Sequence, residues 1–299
     1  MDKRIRLREL INAPDSFMLP GAYDAVSALL IEELGFQAVY ATGAGISNAQ
    51  LGWADVGLTS MKEAVDIVAR ITDVTNIPVI ADIDTGFGNA LNVIRTVREF
   101  ERAGVAGMQI EDQVSPKKCG HFNNKNVISK EEMVNKIHAI VDARKDENLV
   151  IIARTDALAV NGLDDAIDRA RAYKEAGADV LFIEAPTSLE QMKAITSSLQ
   201  GIPQLINLVE GAKTPLISLK EAEDLGYQIV LCANTALRAS IQGMKQALSV
   251  LHADGSQKNL NEAICSWEDR QKLFKLSQIN EWEEKYLSIE AKEEVKIPE

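Results

Sequence analysis

Four times the chain repeats one local device, in which a helix-like run ends at a glycine and an apolar run begins about two residues later. The segments are "EELGFQAVY", "ERAGVAGMQIE", "KEAGADVLFIE" and "EDLGYQIVLC". Glycine enters the left-handed conformation that closes a helix without a Cβ clash. The device is an αβ loop, and its repetition calls for a parallel sheet covered by helices. Strand-like runs stand at 17–20, 37–42, 78–84, 106–112, 149–155, 179–185, 204–208 and 228–233. Each is apolar throughout rather than alternating, as strands buried on both faces are. Eight such units predict an α/β fold of the TIM, or (β/α)8, type, which takes roughly 250 residues. A doubly wound open sheet is the competing architecture. No GxGxxG follows the first run, which weighs against a dinucleotide site.

The barrel uses the chain to about residue 252, and the 299 residues read as one barrel domain with a helical extension over 256–299. In that extension Leu260, Ile264, Trp267, Leu273, Leu276, Ile279 and Trp282 form an apolar helical face that needs a partner, such as another subunit. The net charge of −12 excludes nonspecific attraction to nucleic acid or an anionic membrane. The three cysteines, Cys119, Cys232 and Cys265, are too sparse for a disulfide framework and suit a reducing cytosol. Cys232 and Cys265 sit in apolar contexts and read as packing residues. The charged N-terminus lacks the apolar region of an export signal. No run is long enough to span a bilayer. The chain therefore reads as cytoplasmic.

Barrel active sites lie at the C-terminal ends of the strands. There this sequence places Tyr40, Thr42, Gly43, Ala44 and Gly45 after the second run, and Asp82 and Asp84 after the third. Glu111 and Asp112, Arg154 and Asp156, Glu184, and Asn207 with Glu210 follow the next four. Gathered carboxylates repel one another unless a cation joins them, and oxygen-only ligands suit Mg2+ or Mn2+. The bland alternatives are helix capping by Asp82 or Asp84, an ion pair of Arg154 with Asp156 or Glu184, and a simple tight turn at "TGAG". The segment "EDQVSPKKCGHFNNK", 111–125, adds a thiol beside two lysines and a histidine. Cationic neighbours lower a thiol's pKa, so Cys119 fits an acid or base role on a closing lid better than a metal site.

These motifs carry a resemblance. "KKCGH" after "IEDQ", with "ADIDTGFG" upstream and "ARTDALAVNGLDDAIDRA" downstream, resembles the isocitrate lyase and phosphoenolpyruvate mutase superfamily from about Pro20 to "GSQK". Within it the chain is most similar to the 2-methylisocitrate lyase and 2,3-dimethylmalate lyase branch, which includes oxaloacetate-cleaving enzymes. The resemblance implies a Mg2+-dependent carbon–carbon lyase (Mn2+ being the alternative ion) acting on a small carboxylate substrate, such as a 2-hydroxy di- or tricarboxylate. It implies Asp84 as direct metal ligand, with Asp55, Asp82 and Glu111 holding the metal's waters. Thr42, Gly43 and Ala44 would bind the α-carboxylate, and Arg154 the substrate oxygen or carboxylate. Glu184, Asn207 and Arg238 would line the pocket for the departing carboxylate. Cys119 would give the proton from a lid that also carries Lys117, Lys118, Gly120 and His121, and Tyr40 would stand near the substrate hydroxyl. A homodimer or homotetramer exchanging its C-terminal helices is also implied. The chain departs from methylisocitrate lyases at "NLVEGAKTP" and "CANTALRAS", where the far half of the substrate would bind. The second segment is partly mutase-like, which keeps carboxyphosphonoenolpyruvate- or phosphoenolpyruvate-type phosphorus chemistry as an alternative.

Overall fold

The computed structural model describes residues 2–118, 120, 125–260 and 263–287. The chain divides into two compact units, Met1–Arg238 and Ala239–Glu299. In the first, eight parallel strands close into a barrel in chain order. They are β1 Phe17–Ala22, β2 Val39–Ala41, β3 Val79–Asp82, β4 Gly107–Glu111, β5 Val150–Thr155, β6 Val180–Ile183, β7 Gln204–Asn207 and β8 Ile229–Cys232. The helices of this unit are α1 Lys3–Asn12, α2 Ala25–Glu33, α3 Gly43–Leu51, α4 Met61–Val74, α5 Ala90–Arg102, α6 Lys130–Ala143, α7 Leu163–Glu175, α8 Leu189–Ser198 and α9 Leu219–Leu225. The helix α10, Thr235–Asp254, leads into the second unit, which holds α11 Trp267–Leu273 and α12 Leu276–Tyr286.

The αβ glycines behave as their pattern predicts: Gly35, Gly104, Gly177 and Gly226 have φ of 85°, 88°, 112° and 96°. Capping boxes start several helices, including Ser60 with Glu63 and Ser218 with Glu221. Two apolar layers hold the barrel. One lies between strands and helices and includes Val39, Ile83, Met108, Ile151 and Leu181. The other fills the barrel interior with Tyr40, Ile80, Ile152, Phe182 and Leu231, joined by Leu7 and Ile11 of α1. That helix is tied down by ion pairs of Arg4 with Asp146 at 2.9 Å and Arg8 with Asp179 at 3.0 Å. In the second unit Leu260 is buried, whereas Ile264, Trp267, Leu276, Ile279 and Trp282 are exposed. Cys232 is half-buried, but Cys265 is exposed and does not pack, and its neighbour Ile264 is exposed too. No helix among the described residues is long and apolar enough to cross a membrane.

Candidate active site

Side chains alternate along a strand, so the interior layer decides which polar residues follow it inward. Tyr40 belongs to that layer, and two residues on is Thr42; Ile80 leads to Asp82 and Ile152 to Arg154. Phe182 leads likewise to Glu184, and Leu205 to Asn207. Glu111 faces Arg154 across the β4–β5 ladder. One cavity is lined by Tyr40, Thr42, Ala44, Asp55, Asp82, Lys117, Lys118, Gly120, Arg154, Glu184 and Asn207. Its far wall is Val209, Leu231, Ala233 and Asn234. "TGAG" is a helix start as well as a turn: Thr42 caps α3, its Oγ1 accepting from Gly45 N at 3.3 Å. The first N–H groups of α3 thus stand at the cavity, where a helix N-terminus favours an anion. A Cβ on Gly43 would lie 2.8 Å from Asp82 Oδ2 and 3.3 Å from Asp84 Oδ1, so glycine is required for the close approach.

Asp84 adopts φ 48°, the left-handed region that aspartate tolerates better than most residues. Its N–H donates to Asp82 Oδ1 at 3.0 Å. Burial pushes the Asp84 carboxyl up to about 6; Lys117 opposes this, and Asp82 and Asp55 add to it. Burial also holds Glu111 well above the usual carboxylate range despite Arg154 and Lys117. The Lys117 ammonium lies 2.8 Å from Asp55 Oδ1 and 2.8 Å from Asp84 Oδ1. Burial alone would lower its pKa, but Asp84, Glu111, Asp82 and Asp55 outweigh that and keep it charged.

Among the described residues, no three acidic, histidine or cysteine side chains converge as a direct ligand cluster. The donor set nevertheless fits a hard cation. All its atoms are oxygens, Glu111 Oε1 is buried with no hydrogen bond among the described residues, and Asp84 is kept from ionising easily. An ion that takes one or two carboxylates and keeps its own waters, as Mg2+ does, suits this spacing.

Arg154 is fixed as a fork. Its Nε donates to Asp156 Oδ2 at 2.9 Å and its Nη2 to Asp156 Oδ1 at 3.1 Å. Nη1 lies 3.4 Å from Glu111 Oε2, Nη2 lies 3.9 Å from Glu184 Oε1, and the guanidinium lies over the Phe182 ring. Burial would lower the Arg154 pKa, but Asp156, Glu111 and Glu184 hold it well above the ordinary value. Tyr40 is buried, which drives its pKa well above 10, and it donates to Gln109. It is therefore a neutral phenol. Behind Asp156 stands Asp112, on the outward face because it neighbours the inward Glu111. Asp112 accepts from Thr155 Oγ1 at 2.6 Å, Tyr173 Oη at 2.7 Å, Asp156 N at 2.9 Å and Arg169 Nη1 at 3.2 Å. Deleting one member of a buried pair strands its partners, so Asp112→Ala is expected to cost about 3–5 kcal/mol in urea unfolding.

Several placements differ from the linear reading. Arg238 does not line the cavity: its Nη2 pairs with Glu210 Oε2 at 2.6 Å and its Nη1 donates to Glu210 O at 2.8 Å, both side chains being at least half exposed. Cys119 and His121 lie outside the described residues. Lys125, at the end of the 111–125 segment, makes buried contacts to Asp156, 31 positions away, and to the carbonyl of Gly120. Gln109, in the middle of β4, carried no sequence signal, whereas Val209 and Asn234 fall in the two segments that depart from the methylisocitrate lyases.

A barrel that gathers buried carboxylates around a forked arginine and a helix N-terminus presents the donors that a small carboxylate and a hard cation call for. Comparison with known proteins specifies the class. The phosphoenolpyruvate phosphomutase family matches residues 7–252. The chain is 45% identical to 2,3-dimethylmalate lyase of Eubacterium barkeri over 96% of its own length and 99% of the relative's. It is 43% identical to 2-methylisocitrate lyase of Aeropyrum pernix, over 96% and 91%. The crystal structure of a 2,3-dimethylmalate lyase superposes with a TM-score of 0.91 at 35% identity, covering 96% of both chains. That of phosphonopyruvate hydrolase complexed with oxalate and Mg2+ superposes at 0.88 and 30% identity, covering 96% of this chain and all of the other. The chain belongs to the phosphoenolpyruvate mutase and isocitrate lyase superfamily, and its near relatives are lyases.

Proposed function

We propose that the chain is a Mg2+-dependent carbon–carbon lyase that cleaves a 2-hydroxy dicarboxylate with small alkyl substituents, of the 2,3-dimethylmalate type, into pyruvate and a short carboxylate. The observation that carries this reading is the Arg154 fork set beside Glu111 and Glu184 in the same cavity as the α3 N-terminus. Asp84, with Asp82, Asp55 and Glu111, would hold Mg2+ or Mn2+, and the ion would supply Lewis acidity at the substrate's hydroxyl and α-carboxylate oxygens. The N–H groups of Gly43 and Ala44, with Thr42, hold the α-carboxylate. Tyr40, a neutral phenol whose O–H is donated to Gln109, stands near the substrate hydroxyl. Arg154 stabilises the negative charge that develops as the bond breaks, a preorganised electrostatic role. Glu184 and Asn207 orient the departing half. Cys119 returns a proton to its carbon, with Lys117, Gly120 and His121 as its neighbours on the same segment of chain.

A dicarboxylate is favoured over a tricarboxylate by Arg238. With that guanidinium engaged by Glu210, the far wall of Asn207, Val209, Leu231, Ala233 and Asn234 is uncharged. The test offers 2,3-dimethylmalate, 2-methylisocitrate and isocitrate in parallel, reading pyruvate and glyoxylate through coupled dehydrogenases, with oxaloacetate followed by its consumption. Turnover of 2,3-dimethylmalate with the highest kcat/KM, abolished by EDTA, is expected. Silence from all four would move the chain to phosphorus chemistry, read by phosphorus NMR. Arg238→Ala is expected to change kcat/KM for 2,3-dimethylmalate less than about threefold, under about 0.7 kcal/mol. The exposed apolar side chains of the C-terminal unit support a homodimer or homotetramer that exchanges these helices, which sedimentation would size.

A further inference from the structure

Lys125 closes the 111–125 segment, and the proposed reaction gives it no part. Its side chain is 2% exposed, and its ammonium lies 2.6 Å from Asp156 Oδ1, a carboxylate with no exposure at all. The same ammonium donates to the carbonyl of Gly120. A fully buried ammonium is costly unless paired and hydrogen-bonded, and here both conditions hold. Asp156 is also the anchor of the Arg154 fork, and Oδ1 is shared between Arg154 Nη2 and Lys125 Nζ. Arg154 and Lys125 together hold the Asp156 carboxyl below its usual range against the effect of burial. Gly120, at the other end of Lys125, lies directly against the fork. A Cβ there would come within 2.3 Å of Arg154 Nη2 and 2.4 Å of Glu184 Oε1.

We propose that Lys125 is a positioning residue that sets Gly120 and the Arg154 guanidinium in one fixed relation through Asp156. The juxtaposition has two consequences. Lys125 takes part of the Asp156 charge, so Arg154 is not wholly neutralised by its anchor and keeps attraction for a substrate oxygen. Lys125 also holds the Gly120 backbone as the roof over that guanidinium. Arg154 thus receives its orientation from Asp156 at the end of β5 and its ceiling from Gly120, both tied through Lys125.

This inference rests on the lyase reading, and the test separates the two. Wild type, Lys125→Met, Lys125→Arg and Asp156→Asn are compared for turnover of 2,3-dimethylmalate, for oxalate binding with Mg2+ by calorimetry, and for thermal unfolding. The methionine variant is expected to lose roughly 10- to 100-fold in kcat and about tenfold in oxalate affinity while still unfolding cooperatively. Lys125→Arg, which can span both acceptors, is expected to recover most of the loss. The double variant Lys125→Met/Asp156→Asn is expected to be no worse than Asp156→Asn alone, because the effect passes through that carboxylate. Wild-type kcat and oxalate affinity in folded Lys125→Met, or losses that add fully in the double variant, would overturn the positioning role. Should Lys125→Met fail to fold, Lys125→Gln, which keeps a donor for Gly120 without the charge, decides on the same readouts. Absence of oxalate binding and of turnover in wild type would instead overturn the lyase reading.

Discussion

Asp84→Asn is expected to abolish turnover, by about 10³-fold or more, and yet to raise the melting temperature of the metal-free protein above pH 6. The sign follows from burial. The carboxyl's pKa is pushed up to about 6 in the folded chain, from 3.8 when free. Below the lower value both states carry the proton and nothing changes. Between the two, the folded chain keeps a proton that the unfolded chain has released, so stability falls as pH rises through that window. Above about 6 the full cost is present, about 3 kcal/mol at 1.36 kcal/mol for each pKa unit. Asparagine has the same shape without the charge and tolerates the φ of 48°, so no backbone strain offsets the gain. Lys117 keeps Asp55 as a partner at 2.8 Å. Adding Mg2+ should then stabilise wild type by mass action and leave Asp84→Asn unmoved. Thermal unfolding in EDTA at pH 5 and pH 8, then with Mg2+, reads both effects. A lower melting temperature for the variant at pH 8 would mean that Lys117 more than offsets the burial of this carboxylate, and the site would not be strained toward a cation.

The αβ glycines and the eight apolar runs contain the barrel, because a glycine in the left-handed region and a doubly buried strand are both local properties. Strand bounds differ from the runs: β2 is only Val39–Ala41 within the run 37–42, whereas β1 extends past its run to Ala22. Most rim residues were legible for the same reason: they end strands. What linear reading cannot assign is which side of a strand each faces. Glu111 and Asp112 look alike in sequence, but one step of register sends Glu111 to Arg154 and Asp112 to Thr155, Arg169 and Tyr173. Arg154 shows a bland and a functional reading holding together, since it does pair with Asp156 and by doing so presents its other edge to Glu111 and Glu184. Arg238 and Glu210, each legible as a rim charge, neutralise one another beside the cavity. Lys117 was expected on the covering segment; its seat between Asp55 and Asp84 joins residues 62 and 33 positions away, a pairing that no local pattern encodes.

Arg154→Lys is expected to lower kcat/KM roughly 10³-fold, about 4 kcal/mol at 1.36 kcal/mol per tenfold, while Arg154→Met also loses several kcal/mol of stability. The two substitutions separate geometry from charge. Lysine keeps the positive charge, so Asp156, Glu111 and Glu184 retain a counter-ion in the barrel interior. It cannot keep the fork: Arg154 engages Asp156 through Nε and Nη2 at 2.9 and 3.1 Å while Nη1 reaches toward Glu111 at 3.4 Å. A single ammonium can sit on Asp156 or turn to a substrate oxygen, but it cannot do both, and it has no planar face to lie on Phe182 as the guanidinium does at 5.2 Å. Binding of the ground state through the α3 N-terminus should survive, so the loss should fall mainly on kcat, as for an interaction made chiefly in the transition state. Methionine removes the charge as well and leaves buried carboxylates uncompensated. Steady-state kinetics on 2,3-dimethylmalate with urea unfolding of both variants makes the comparison. A loss below tenfold in Arg154→Lys would show that a point charge suffices, and the role of the fork would then pass to Lys117 or Lys125, the other buried cations of the site.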